Sequence, residues 1–301
     1  MSLTDASLTG LRVFRAVAEH GTLSAAAAAL GYTQSAVSRQ VAALERAAGT
    51  VLLERHHNGV RLTPAGQVVL RSAAAVVDRI DATSRELNGV REERVVVRLG
   101  WFASAGAVLI PRAVAMLSRS RPGITVLSRE GGTSALVRAL RAGTVDLAVV
   151  ASNPPYRALD REKPALVIAT LTERSLRIAV PVEHALARAD SIDIADLHGQ
   201  RWIGGVGNER VLGVWPGLSE RPEVVHSARD WLAKLQLVAA GLGITTLPGA
   251  LAAAVPPGVR VVTVRGDPQE QRRVQLAWLP QSFTESVAHV VEALRAASRE
   301  V

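Results

Sequence analysis

Residues 21–49 read GTLSAAAAALGYTQSAVSRQVAALERAAG, and this stretch decides the fold of the N-terminal third. Gly21 and Gly31 suit left-handed helix ends, while Thr22 and Thr33 can cap the helices that follow them. The alanine run between these signals has a high helix propensity, and its small side chains let another helix approach closely. Two short helices joined by a turn that contains glycine form a helix-turn-helix pattern, which predicts contact with DNA.

The helix that follows Thr33 has two distinct faces. Val37, Val41 and Leu44 recur at helical spacing and must face a core. The opposite side of its first turns is polar: glutamine can pair with adenine, arginine with guanine, and serine with base edges or phosphates. Two short strands around the turn at residues 56–59 predict a wing whose arginines meet phosphates. The predicted DNA-binding residues are Thr33, Gln34, Ser35, Ser38, Arg39, Arg55 and Arg61. A small helical bundle with a solvated polar face is the alternative.

This whole run resembles the N-terminal domain of LysR-type transcriptional regulators. The resemblance rests on Leu11-Arg12-Val13-Phe14, Gly21-Thr22-Leu23-Ser24, Thr33-Gln34-Ser35-Ala36-Val37-Ser38-Arg39-Gln40, Leu52-Leu53-Glu54-Arg55 and Leu62-Thr63-Pro64-Ala65-Gly66. Two positions depart from the family pattern, because Ser35 stands where the family usually has Pro and Leu53 where it usually has Phe. The resemblance implies an all-α winged helix-turn-helix domain, residues 1–64, that binds double-stranded DNA.

Residues 65–92 are predicted to form one long linker helix, with Pro64 in its first turn behind a Thr63 cap. Apolar residues in it recur at alternating spacings of four and three, a heptad stripe that can pair two helices. The predicted dimerisation residues are Val69, Ala73, Val76, Ile80, Thr83, Leu87 and Val90. The stripe could instead pack against its own domain; the resemblance favours a homodimer or homotetramer, with RNA polymerase as a further partner. Gly89 and the charged run 91–94 predict a hinge.

Residues 93–301 alternate strand and helix signals, beginning with the apolar run 95–100, and this alternation predicts an α/β domain. The order resembles the effector domain of the same family, which has two lobes like a periplasmic binding protein. Residues that carry this resemblance include Pro122-Gly123-Ile124, residues 140–148 and residues 241–248. We place lobe I at about 95–166 and 268–301, and lobe II at about 167–267. The predicted hinges are Val167-Ile168 and Arg265-Gly266.

A small-molecule effector is expected between the lobes, where strand ends and helix N-termini favour an anion such as a carboxylate. The predicted effector-binding residues are Ala103, Ser104, Thr133, Ser134, Ser152, Gly204, Gly205, Val206 and Thr245. A serine or threonine at a helix start can instead act only as an N-cap. Trp101 and Trp202 flank two of these loops, and each can form either an apolar wall or part of a core.

Composition excludes several other functions. The chain has no cysteine, which rules out disulfides and thiolate metal sites and fits a cytoplasmic protein. Its net charge of +8 is no guide to the DNA site, since residues 1–94 carry 11 basic and 9 acidic residues, net +2, and the remainder carries net +6. Neither a membrane span, an export signal, a metal-binding pattern nor a catalytic motif is found, so we predict no enzyme, cofactor or membrane partner. A solute-binding protein and an architectural DNA-binding protein without an effector are the alternatives.

Overall fold

The computed structural model describes residues 3–57, 59–87, 95–152, 159, 161–206, 213–216, 218, 220–266 and 271–299. The N-terminal helices are α1 (Leu8–His20), α2 (Leu23–Leu30) and α3 (Gln34–Ala48). Each begins behind a side-chain cap and ends at a glycine with positive φ, because the cap satisfies a free N–H and glycine adopts the left-handed turn without strain. The predicted helix-turn-helix boundaries are therefore set by local signals.

The wing and the linker helix complete what we call the DNA-binding unit, residues 3–87. The wing is the antiparallel pair β1 (Leu53–His56) and β2 (Gly59–Leu62), and the linker helix is α4 (Pro64–Leu87). One core holds the unit together, formed by α1, α2 and α3 with the inner face of the first half of α4. Phe14 belongs to this core and is fully buried.

Lobe I is a three-layer α/β structure. Its strands β3 (Val95–Trp101), β4 (Ile124–Glu130) and β5 (Leu147–Ser152) are parallel, and β12 (Gln271–Trp278) joins them antiparallel beside β5. Its helices are α5 (Ala103–Gly106), α6 (Leu109–Ser120), α7 (Thr133–Arg141) and α9 (Glu285–Arg299). One core lies between the sheet and the helices α6 and α9, and another lies under α7.

Lobe II is reached through β6 (Val167–Pro181), a strand of 15 residues that serves both lobes. Its first part pairs with β12 up to Ser175, and from Leu176 onward it pairs with strands of lobe II. The remaining elements are β7 (Ser191–Asp193), β8 (Arg201–Gly204), β9 (Glu223–Ser227), α8 (Trp231–Ala239), β10 (Thr245–Pro248) and β11 (Val259–Arg265). Short 3-10 helices cover 3–5, 185–188, 194–197, 249–254 and 280–282.

The structure confirms the predicted fold class, a winged helix-turn-helix with a linker helix in front of a two-lobed α/β domain. It differs at the first hinge, since β6 passes through Val167-Ile168 without a break and the change of lobe falls at Ser175–Leu176. The apolar pattern of a strand does not show which partner each part of the strand pairs with. The change of lobe was therefore predicted at the start of the strand. The predicted hinge run 88–94 lies outside the described residues.

Candidate functional site

The polar start of α3 faces solvent. Thr33 caps the helix, its hydroxyl accepting a backbone N–H one turn on at 3.2 Å. Gln34, Ser35 and Arg39 are exposed, and Ser38 is half-buried. Arg39 has no hydrogen-bond or ion-pair partner within the described part of the chain. An unpaired guanidinium on an exposed helix start can reach a guanine edge in a major groove.

The two wing arginines lie on opposite faces of the ribbon. In the β1–β2 register Arg61 is opposite Glu54, and Arg55 is opposite Val60, so the side chains of the two arginines point to different sides. Arg55 reaches the recognition helix, where its Nη2 donates to Ser38 Oγ at 3.2 Å. Arg55 therefore belongs to the same surface as the start of α3, whereas Arg61 lies on the outer face beside a carboxylate.

Both departures from the LysR pattern have a clear place in the structure. The Ser35 and Thr33 hydroxyls share a hydrogen bond of 3.1 Å on the exposed helix start. Leu53 is buried in the core of the DNA-binding unit, so the smaller side chain there is a packing change. Sequence reasoning missed Glu45, whose carboxylate accepts the N–H of Leu52 at 2.9 Å and that of Leu53 at 3.2 Å. Glu45 thereby fixes the wing against the recognition helix.

The linker helix has an inner and an outer apolar face, and the predicted dimerisation residues are divided between them. Val69 and Ala73 are both buried inside the protomer, and Val69 belongs to the DNA-binding unit's own core. Val76 and Ile80 are 46% and 41% exposed, and Thr83 is half-buried. The heptad count alone could not separate these faces, because the spacing along α4 does not show which positions another helix of the same protomer covers. Outside the described side chains lie two further predicted positions, Leu87 and Val90.

The predicted effector residues of lobe I gather at one sheet edge. Because β3, β4 and β5 are parallel, their carboxyl ends lie together, as required for a binding site in an α/β sheet. Ala103 is exposed and Ser104 is buried at the start of α5, directly after β3. Thr133 and the exposed Ser134 begin α7 after β4, and Ser152 ends β5.

Hydrogen bonds tie this edge to the strand that enters from the C-terminal part of the chain. Thr133 Oγ1 donates to the carbonyl of Ala151 at 3.3 Å, and Ser152 Oγ bonds Gln275 Oε1 at 2.8 Å. Gln275 lies at a β-bulge, where β6 contributes Leu171 as an extra residue against β12. Bulges often redirect a side chain beside a binding site. Gln275 is thus a candidate cleft residue that sequence reasoning missed, since its place depends on non-local strand pairing.

The predicted residues of lobe II divide into scaffold and surface. Thr245 is fully buried, and its hydroxyl donates to the carbonyl of Ile203 at 2.9 Å. A hydroxyl used in this way ties β10 to β8, which gives Thr245 a scaffold role; its contact with an effector stays a prediction. Gly204 and Gly205 are also buried, and Val206 is exposed. The described contacts do not join these residues to the lobe I edge.

The two tryptophans that flank the loops behave differently. Trp202 is 1% exposed and lies in the core of lobe II, which excludes it as a cleft wall. Trp101 is half-buried at the end of β3, and its ring covers Gly106, where an added Cβ would lie 2.1 Å from the ring. The indole N–H of Trp101 is buried without a hydrogen-bond partner among the described residues. Trp101 therefore stays a candidate for the wall beside Ala103.

A chain of charges joins the DNA-binding unit to lobe I, and sequence reasoning missed it. Arg15 of α1 donates to Asp78 of α4 at 2.8 Å, and Asp78 pairs with Arg98 of β3 at 3.3 Å. Burial opposes the charge of Arg98, but its hydrogen bond to Asp146 and the charges of Asp146 and Asp78 raise its pKa above the ordinary value. A cavity of about 440 Å³ lies beside these charges, between α4 and lobe I, and Arg71 is part of its lining.

Metal and membrane sites find no support in the described part of the chain. No group of three or more His, Asp or Glu side chains there could hold a metal ion. None of the described helices is both long enough and apolar enough to cross a bilayer.

Comparison with known families identifies both parts of the chain. A model described as "Bacterial regulatory helix-turn-helix protein, lysR family" matches residues 8–67, and one described as "LysR substrate binding domain" matches residues 91–299. A "Probable hydrogen peroxide-inducible genes activator" of Mycobacterium avium is 34% identical over 255 residues, which are 80% of this chain and 78% of that protein.

Solved structures show the same fold along nearly the whole chain. A full-length cysteine variant of OxyR from Pseudomonas aeruginosa matches with a TM-score of 0.62 and 24% identity, covering 97% of this chain and 94% of that one. Full-length CbnR complexed with target DNA matches with a TM-score of 0.54 and 24% identity, covering 97% and 99%.

An exposed polar helix start, a wing and a two-lobed ligand-binding domain define a class of protein, the DNA-binding transcription regulators that respond to a small molecule. Such a protein is a regulator and not an enzyme. The family models match both halves of the chain, and the chain belongs to the LysR family. The resemblance found in the sequence is thus confirmed, and with it the function of the class.

Proposed function

We propose that this chain binds a specific operator as a dimer or tetramer and that an anionic effector in the inter-lobe cleft changes this binding. The observation that carries the proposal is Arg39, an exposed and unpaired cation beside Gln34 and Ser35 on the recognition helix. Arginine at this place reads guanine, and glutamine reads adenine. Operator binding places the protein at the DNA, in the cytoplasm, where RNA polymerase is a further partner.

The outer face of α4 supports pairing of two copies. Val76 and Ile80 are exposed on a helix whose other apolar face is already buried in the protomer. Two copies joined through this face would present two recognition helices related by a two-fold axis. Such a dimer reads a roughly palindromic operator, with half-sites about one helical turn apart or a multiple of it.

The effector is expected to be an anion that contacts the start of α7. The N-cap of α7 is Gly132, which has no side chain, so the first N–H groups of this helix receive no cap from it. The corresponding end of α8 in lobe II is already served by the Asp230 carboxylate, which accepts two backbone N–H groups at 3.0 and 2.9 Å. Of these two helices, α7 is therefore the one that favours an effector carboxylate, because its helix dipole and open N–H groups both attract it.

The effector is also expected to bind reversibly rather than by oxidising a thiol. Some of the solved structures with the same fold are cysteine variants of OxyR, and one of those is bound to H2O2. These 301 residues contain no cysteine, so a thiol switch has no residue to act on. Binding would instead shift an existing balance between lobe arrangements, and thereby the spacing of the paired wings.

Operator selection with the full chain tests the DNA-binding half of the proposal. A duplex enriched from random sequences by the wild-type protein is titrated with Arg39→Ala and, as a matched charge-loss control on the sensor surface, with Arg119→Ala. Loss of one good base contact is expected to weaken specific binding about 5- to 150-fold, or about 1–3 kcal/mol, while the control binds as the wild type does. Equal binding by Arg39→Ala and Arg119→Ala would remove Arg39 from the recognition surface.

A panel of small mono- and dicarboxylates, screened by thermal shift, tests the effector site. Ala103 is the residue to enlarge, because it is exposed, whereas a larger side chain at the buried Ser104 would overpack lobe I. A carboxylate that stabilises the wild type should no longer stabilise Ala103→Trp, although operator binding stays intact. A response that survives in Ala103→Trp would place the ligand elsewhere.

A further inference from the structure

Helix α7 joins the effector cleft to the DNA-binding unit. Its first residue, Thr133, lies at the sheet edge of the cleft and bonds the end of β5. Just beyond its last residue, Ala142 is fully buried and belongs to the core of the DNA-binding unit. Nine residues of α-helix span only about 14 Å, so one stiff element contacts both regions.

Two arginines complete the ends of helices in the opposite unit. Arg138 of α7 donates from Nε to the carbonyl of Glu19 at 2.8 Å, at the C-terminal end of α1. Arg15 of α1 donates from Nη2 to the carbonyl of Gly143 at 2.8 Å, just after α7. The last carbonyls of a helix have no partner within that helix and attract cations. Arg138 therefore caps the end of α1, and Arg15 holds the turn that follows α7, so each unit supplies a cation to the other.

The Glu19 side chain adds an ion pair to this exchange. Its carboxylate pairs with Arg129 near the end of β4 and is largely buried, with a side chain 14% exposed. Gly21 closes α1 at this contact, and an added Cβ there would lie 3.3 Å from Arg138 Nε. The contact depends on side chains from α1, β4 and α7 meeting at one point, which favours one orientation of lobe I on the DNA-binding unit.

The contact leaves the recognition surface open. Gln34, Ser35 and Arg39 stay exposed while lobe I is docked on α1 and α4. Docking therefore does not block DNA; it fixes the direction in which the recognition helix is held relative to lobe I. A change at the first turn of α7 would move the caps at its other end.

We propose that α7, its reciprocal arginine contacts, Arg138 on α1 and Arg15 beyond α7, and the Glu19–Arg129 ion pair beside them form the element that couples effector binding to operator binding. The proposal rests on the proposed function and names its regulatory route. Because coupling between two sites is reciprocal, operator binding must change the affinity for the effector by the same factor, so an element that carries the coupling is expected to respond to operator binding too. The route can therefore be tested from the DNA side, before any effector is known.

The experiment measures hydrogen exchange of α7 in the full chain, with and without the operator duplex selected by the wild type. Exchange in a peptide that spans residues 130–142 is compared among the wild type, Glu19→Arg, Arg129→Glu and the double variant that reverses the pair. Glu19→Gln, which removes the charge at nearly constant size, replaces Glu19→Arg if that variant does not fold. Arg119→Glu changes a surface charge on α6 and is the control.

In the wild type the duplex should change α7 exchange by at least about fivefold, the lower end of usual coupling. The single variants should lose most of this change, and the double variant and Arg119→Glu should keep it. Identical exchange with and without DNA in the wild type overturns the proposal, as does a full response in Glu19→Arg or Glu19→Gln. If the wild type selects no operator, the proposed function itself fails, which distinguishes the two results.

Discussion

The DNA-binding unit and the two-lobed sensor are specified in different ways. In the unit, α1, α2 and α3 each carry their own cap, with Ser7, Thr22 and Thr33 accepting N–H groups of the helix that follows. In lobe I, α5, α6 and α7 have no side-chain cap, and β12 lies between β5 and β6 although more than 100 residues separate it from β5 in the chain. Local signals thus define the unit, whereas the sensor depends on distant pairing.

The largest expected effect is on stability, and it shows whether the DNA-binding unit and the sensor unfold independently. Phe14 is fully buried in the unit and Leu276 is fully buried in lobe I. Phe14→Ala should lower the free energy of unfolding of the unit by about 3–5 kcal/mol, and Leu276→Ala that of the sensor by about 2–5 kcal/mol. Urea unfolding followed by circular dichroism should show each variant shifting a different transition. If both variants shifted one common transition, the unit and the sensor would unfold as a single cooperative body, which contradicts their separation.

A smaller effect is expected on the outer face of α4, where the unit ends. Ile80→Asp places a charge on a 41% exposed position, so the fold of the protomer should stay within about 0.5 kcal/mol of the wild type. The same charge in a two-fold interface meets its own copy, and dimer dissociation should rise at least about tenfold, or about 1.4 kcal/mol. Sedimentation velocity over a concentration series measures this. An unchanged dissociation constant would move the dimer interface away from this face.

The smallest effect concerns acid stability of the sensor alone. Burial lowers the pKa of His184, and the nearby charge of Arg201 lowers it further, against a hydrogen bond with Gln200. Its Nδ1 accepts the N–H of Leu186 at 3.2 Å, which the protonated ring cannot do.

Because the unfolded chain binds the proton more readily, the stability from this residue is present above pH 6.5, the ordinary histidine value, and is lost as the pH falls toward the lower folded pKa. His184→Asn keeps an acceptor that does not titrate, so the drop in melting temperature between pH 7.5 and 5.5 should be smaller than in the wild type. His57→Asn, an exposed wing position, is the control. Equal drops in the wild type and His184→Asn would contradict this role.

What could be predicted from the sequence follows the same division. The ends of α1, α2 and α3 were predictable because glycine and threonine act within one turn of their own position. The burial of Thr245 could not be predicted because it depends on the distant strand β8, and the burial of Val69 could not because it depends on packing between helices. The contacts of Arg15 with Asp78 and Gly143 left no local signal at all, since their partners lie 63 and 128 residues away.

The shared strand β6 limits how far the sensor can open. At about 3.3 Å per residue its 15 residues extend about 50 Å, and they are hydrogen-bonded to neighbours along both lobes. Two lobes that share one such strand cannot separate through a free hinge motion. Any change in the angle between the lobes must twist backbone that is already hydrogen-bonded. Effector binding is therefore expected to rotate the lobes slightly rather than to close them widely.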